Sequence, residues 1–182
     1  MPNPARYLPA FDFSEVADRS LADRLSYALR MAQARVAESG YQEFCDFPCV
    51  PDQGASETEL DDMEIDLGVE LPAEYRAFLS ICRYLKIADG LEIGGFDHEG
   101  IFVAEVPWIS DKHREGVRYL VFANYGEFGD GDQLMFDLAD PARAVTAYLR
   151  GHEPRFETFA PSFSLALWRI VHGAGVGGCA EE

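Results

Sequence analysis

Between Ser56 and Phe96 the chain reads SETELDDMEIDLGVELPAEYRAFLSICRYLKIADGLEIGGF, and this stretch limits the possible folds more than any other. Ser56 is suited to cap a helix by accepting from the amide of Glu59, while Glu59, at the third helical position, reaches back to the Ser56 amide. Glu57, Glu59, Asp61 and Asp62 load the first turns with negative charge, which the positive end of a helix dipole favours. Leu60, Met63 and Leu67 recur at the helical period and predict a buried stripe. Gly68 is placed to end the helix in the left-handed conformation, and Pro72 suits the first turn of the next one. Tyr75, Phe78, Leu79 and Cys82 form a second stripe that Leu85 continues, which predicts a long second helix running up to an Asp89-Gly90 turn.

These residues resemble the SUKH superfamily, specifically its Smi/Knr branch. The branch shows a helix ending E-x-x-x-G, then Leu-Pro-x-x-Tyr-Arg-x-Phe-Leu, then a polar-Gly turn. The matching positions here are Glu64, Gly68, Leu71, Pro72, Tyr75, Arg76, Phe78, Leu79 and Asp89-Gly90. Two features depart from the pattern: the turn is Asp-Gly where Asn-Gly is usual, and residues 83–88 read as a short insertion. Further along, RYLVFA (118–123) and QLMFDL (133–138) look like strands flanking a Gly-Asp-Gly loop. AVTAYL (144–149) and residues 159–171 resemble the family's last strand and closing helix. The resemblance spans about residues 50–172 and implies an α+β fold: a mostly antiparallel sheet with helices packed on one face.

Outside that span the chain predicts an extra N-terminal helix. Residues 1–13 form a proline-punctuated arm, and Val16, Leu21, Leu25, Ala28, Leu29, Ala32 and Val36 recur at spacings that predict one amphipathic helix over 14–39. Ser14 is its expected N-cap and Gly40 its expected stop. Three parts follow: 1–49, an arm and helix packing on the main domain; 50–172, the Smi/Knr-like domain; and 173–182, a glycine-rich tail expected to fray. A chain of 182 residues buries roughly 70% of its unfolded surface, enough to fold without metal or disulfide. No apolar run approaches the about 18 residues of a membrane span, and MPNPARYLPAFDF has no secretory pattern, so the cytoplasm is the expected location.

Charge separates the partner classes. The chain holds 32 acidic and 15 basic residues, net −17, and residues 51–100 alone carry 13 acidic residues against 3 basic. Such a field repels nucleic acid and anionic membranes, and steers a basic protein partner inward. Acidity that merely supports solubility is the alternative. Catalytic and metal signatures are weak by comparison. Cys45 and Cys49 form half of a zinc pattern, but no second pair follows, and they read instead as a thiol pair packed beside Phe44 and Phe47. Glu127, Asp130, Asp132 and Asp137 gather carboxylates without EF-hand spacing, and the glycines between them suit a tight hairpin. No G-x-S-x-G or cysteine nucleophile motif is present.

The resemblance thus implies a non-enzymatic protein-binding module that needs no cofactor and no metal. In bacteria many members are immunity proteins, which bind and neutralise toxins, often nucleases; a fungal branch supplies regulatory scaffolds that bind cellular proteins. A metal- or nucleotide-dependent enzyme is the third reading. The expected contact residues are carboxylates on the back of the family corner, Glu57, Glu59, Asp61, Asp62, Asp66 and Glu74, and those of the acidic loop, Glu127, Asp130 and Asp132. Trp108 and Tyr125 are the candidate aromatic anchors, although Trp108 fits a buried position equally well. The expected partner is a basic toxin domain.

Overall fold

Apolar spacing alternates along the chain between helical and strand periods, and the structure follows it. A computed structural model describes residues 8, 10–38, 54–88, 91–94, 109–110, 118–125, 132–149 and 156–172. Helices α1 (Ser14–Ala17) and α2 (Leu21–Glu38) precede α3 (Glu57–Leu67) and α4 (Ala73–Leu79). Strands β1 (Leu85–Ala88), β2 (Leu91–Ile93), β3 (Ile109–Ser110), β4 (Arg118–Tyr125), β5 (Gln133–Asp137), β6 (Val145–Tyr148) and β7 (Phe156–Ala160) follow, and α5 (Phe163–Val171) closes the domain. Every strand pairing is antiparallel. The sheet runs β1-β2-β4-β5-β6-β7, with β3 on β4 as well. β2 pairs with the end of β4 near Tyr125 and β3 with the end near Arg118, so the two share one edge.

Alternation along β4 and β5 divides the apolar side chains between two faces. Leu120, Phe122, Leu134 and Phe136 join the main core, while Tyr119, Val121 and Met135 form a smaller cluster on the opposite face with Tyr148 and Phe156. The helices lie over the first face. There α5 is buried along its whole length, as an almost wholly apolar helix must be. It packs on β7, α4 and α2. An aromatic group, Tyr75, Phe78, Phe122, Phe136 and Phe163, forms the centre, with ring centroids 4.6–6.3 Å apart. The Tyr75 hydroxyl donates to the Gly94 carbonyl, tying α4 to the end of β2. Complete burial pushes its ionisation well above the ordinary tyrosine range.

The α+β class, the antiparallel sheet, the one-sided helices and the N-terminal helical region agree with the sequence. Five details differ. The expected single helix over 14–39 is two helices, because Ser20 restarts the chain: its hydroxyl accepts from the Asp23 amide at 3.2 Å and donates to the Asp23 carboxylate at 2.7 Å. Phe13, not Ser14, is the N-cap of α1. The second helix of the corner is short, ending at Leu79. Leu85–Ala88 belongs to the sheet, where Leu85 faces Ile93 and Ala88 faces Leu91. Pro72 stands one position before α4, as its N-cap. A strand at Phe156–Ala160 also precedes α5, where only the closing helix is expected. Gly40, the Asp89-Gly90 turn, the Cys45–Cys49 pair and the 173–182 tail lie outside the described residues.

Gly54 explains how the corner is seated. An added Cβ there would come within 1.8 Å of the Ser80 carbonyl oxygen. The next residue, Ala55, donates its amide to Leu79 O at 2.8 Å. The segment entering α3 is thus pressed against the end of α4, an approach that only glycine permits.

Candidate protein-binding surface

The surface of interest is α3 and its neighbours. Its N-terminus is held by the expected capping box: Ser56 accepts from the Glu59 amide, and the Glu59 carboxylate accepts from the Ser56 amide at 2.8 Å. The same carboxylate also takes Arg83 at 2.7 Å. These hydrogen bonds, the Ser56 amide foremost, lower the Glu59 pKa to about 2. Gly68 ends the helix with φ 63°, the left-handed conformation expected of it. Leu60, Met63 and Leu67 are buried.

With that stripe facing inward, the remaining positions sort by angle around the helix. Glu57, Asp61 and Glu64 turn toward α4, where Arg76 meets all three, at 2.7, 2.7 and 2.9 Å. Glu64 additionally accepts the Leu71 amide at 2.7 Å, pinning the Gly-x-x-Leu-Pro corner. The three carboxylates, chiefly Glu57 and Asp61, raise the Arg76 pKa further and hold the guanidinium protonated. The glutamate of E-x-x-x-G and the arginine of Leu-Pro-x-x-Tyr-Arg are therefore the two halves of one ion-pair cluster.

Glu74 lies elsewhere. Its carboxylate accepts the Ser164 amide at 2.8 Å and faces Arg24 at 3.4 Å. Ser162, the N-cap of α5, makes no side-chain capping bond, and Glu74 supplies from α4 the anion that helix start requires. Three helices meet at this one carboxylate. Asp132 is 1% exposed, which takes it off the surface. Asp137 accepts the amide of Ala139 in its own turn at 2.8 Å.

Asp62 and Asp66 thus differ from the rest of the expected contact set: both are exposed on the side of α3 away from the core and away from Arg76. Glu70, exposed just past Gly68, extends this patch. Ile65 lies on the same side at 75% exposure, the one large apolar side chain so exposed among the described residues. The sequence reading missed Ile65 and Glu70. The phase set by Leu60, Met63 and Leu67 already places Ile65 outward, among carboxylates that dominate this stretch of sequence. The side chain of Tyr125, and Trp108, Glu127 and Asp130, lie outside the described residues. Among the described residues no group of His, Cys, Asp and Glu could hold a metal ion, and no helix is long and apolar enough to cross a membrane.

The fold and this surface together define a small α+β protein-interaction module with an acidic helical face. Residues 54–166 match the SMI1 / KNR4 family (SUKH-1), and the chain belongs to that family. The match begins at Gly54, the residue that seats the corner, and ends within α5. No curated protein matches the chain.

Proposed function

We propose that the protein is an immunity protein that binds a cognate bacterial toxin in the cytoplasm and neutralises it, the toxin being a nuclease. The observation that carries this reading is the charge left over after the fold has used its own cations. Arg76, Arg83 and Arg24 take up Glu57, Asp61, Glu64, Glu59 and Glu74, while Asp62, Asp66 and Glu70 remain on the outward side of a chain whose net charge is −17. A nuclease must present a basic cleft to its substrate. An acidic module docks there in place of the nucleic acid, is steered in by long-range attraction, and blocks access without chemistry of its own. Glu57 and Asp61 border the outward face, and Glu127 and Asp130, with Trp108 and Tyr125 as aromatic anchors, complete the proposed contact set. Catalysis and cofactors have no part in this mechanism.

The test is co-expression with a toxin domain encoded by a neighbouring gene, followed by pull-down and a nuclease assay. A stable complex with suppressed cleavage supports the reading. A folded protein that neither captures nor inhibits the neighbouring toxin refutes it, and a host protein bound in its place points to the regulatory-scaffold role.

A further inference from the structure

The outward side of α3 carries more than charge. Asp62, Ile65 and Asp66 follow one another at intervals of three and one residues, which places them in a single stripe opposite Leu60, Met63 and Leu67, while Val69, just past the Gly68 terminus and half-buried against the core, borders its lower end. The stripe sets one exposed apolar side chain, Ile65, between two aspartates. At its lower end a shallow groove of about 410 Å³ opens between Ile65, Gly68, Val69 and Glu70, bounded by Asp61 and Glu64. Gly68 forms part of the groove because its φ of 63° requires glycine, and a Cβ built on it meets no heavy atom within 4 Å. The helix terminator therefore leaves open space between two aliphatic side chains. An exposed isoleucine adds nothing to folding, and a ring of carboxylates around it favours one kind of visitor.

We infer that this stripe is a docking ridge for a basic protein surface that presents an aliphatic side chain flanked by lysine or arginine. This deepens the proposed function and rests on its basic partner. The aliphatic group seats over Gly68 between Ile65 and Val69, and the flanking cations meet Asp62, Asp66 and Glu70. Charge complementarity selects this occupant over a second copy of the chain, whose own stripe carries the same negative charge. Glu57, Asp61 and Glu64, held by Arg76, frame the ridge and stay in place when the partner leaves.

Two synthetic helical peptides of equal charge test the inference on the full chain, one placing leucine among lysines at intervals of three and four residues and one placing serine at the same positions. Affinity is read by fluorescence anisotropy and location by amide chemical shifts. The lysine–leucine peptide is expected to bind about tenfold more tightly than its serine counterpart, the value of one well-seated anchor. Its shifts are expected between Asp62 and Glu70. Ile65→Ser should abolish the difference between the peptides. Gly68→Asn, which tolerates positive φ and fills the groove, should do the same. Asp62→Asn with Asp66→Asn should weaken both peptides and flatten their salt dependence. Because Ile65 is exposed, its variant should melt with the wild type, which separates lost binding from lost folding.

A preference for leucine that survives Ile65→Ser, or shifts that map elsewhere, would overturn the ridge. With the cognate toxin the two proposals separate: unchanged affinity of Ile65→Ser overturns the ridge and leaves the immunity role standing. Failure of the wild type to bind the toxin removes both.

Discussion

Glu74 was expected at the partner interface, and its surroundings make it a structural residue with a measurable worth. Replacing it by leucine removes the acceptor of the Ser164 amide, which belongs to a fully buried residue, and an unsatisfied buried donor costs about 1–3 kcal/mol. The start of α5 also loses the anion beside its dipole, about 0.5–1 kcal/mol. Arg24, 15% exposed, keeps a charge without its carboxylate, and partial hydration holds that cost to about 1 kcal/mol. Together Glu74→Leu should destabilise by about 3 kcal/mol, a large part of the about 5–15 kcal/mol available to a domain. Glu74→Gln keeps an acceptor for the Ser164 amide and should cost about 1 kcal/mol. Urea unfolding followed by circular dichroism reads both, as a lowered midpoint at unchanged slope. Thermal melting should fall by about 6–12 °C for the leucine variant, at about 2–4 °C per kcal/mol for a chain of this size. Asp62→Ala, on the outward face, should stay within about 0.5 kcal/mol of wild type. If Glu74→Leu unfolds at the midpoint of Asp62→Ala, the three-helix junction contributes nothing and the reasoning fails.

Gly54→Ala should destabilise by about 2–3 kcal/mol, since its Cβ would meet the Ser80 backbone at 1.8 Å; an unchanged urea midpoint would show that the corner seats differently. Glu59 has a folded pKa below its unfolded one, so its contribution is present above about pH 4.5 and is lost as pH falls toward about 2. Solvent exposure limits that contribution to about 1 kcal/mol. Glu59→Gln should therefore destabilise near neutral pH and approach wild type in acid, as followed by urea midpoints across that window. Arg76→Ala leaves Glu57, Asp61 and Glu64 facing one another and should cost about 1–2 kcal/mol, less in high salt, with Arg76→Lys recovering part of it. A loss independent of salt would assign the effect to packing of the arginine stem instead.

The corner was legible because each of its signals is local. A capping box, a terminating glycine and a three-four spacing of Leu60, Met63 and Leu67 lie within one or two turns, and each appears in the structure as read. What escaped depends on distant partners. Leu85 continues a helical spacing from Phe78 and Cys82, yet pairing with Ile93 draws it into the sheet, and no feature of residues 79–85 announces that competition. The break at Ser20 is the opposite case. Its cap is local and readable, but the apolar spacing continues across it and hid the signal. The contact set suffered most from this blindness. Glu57, Asp61 and Glu74 read as surplus acid because their cations, Arg76 and Arg24, come from other helices. Phase alone separates Asp62 and Asp66 from them.

The burial of α5 on all sides carries a consequence for how the chain is made. The nine residues from Phe163 to Val171 fill the space between the sheet and α2, yet they follow every other described element in the sequence. Until they leave the ribosome, Tyr75, Phe78, Phe122 and Phe136 have no Phe163 to close on, and α2 has no Trp168 for Tyr27 to stack upon. The nascent sheet must wait with its apolar face open, a state prone to capture by chaperones or by other chains. A protein assembled this way becomes competent all at once and late, and a chain cut short before Phe163 would expose its core instead of forming a smaller working module.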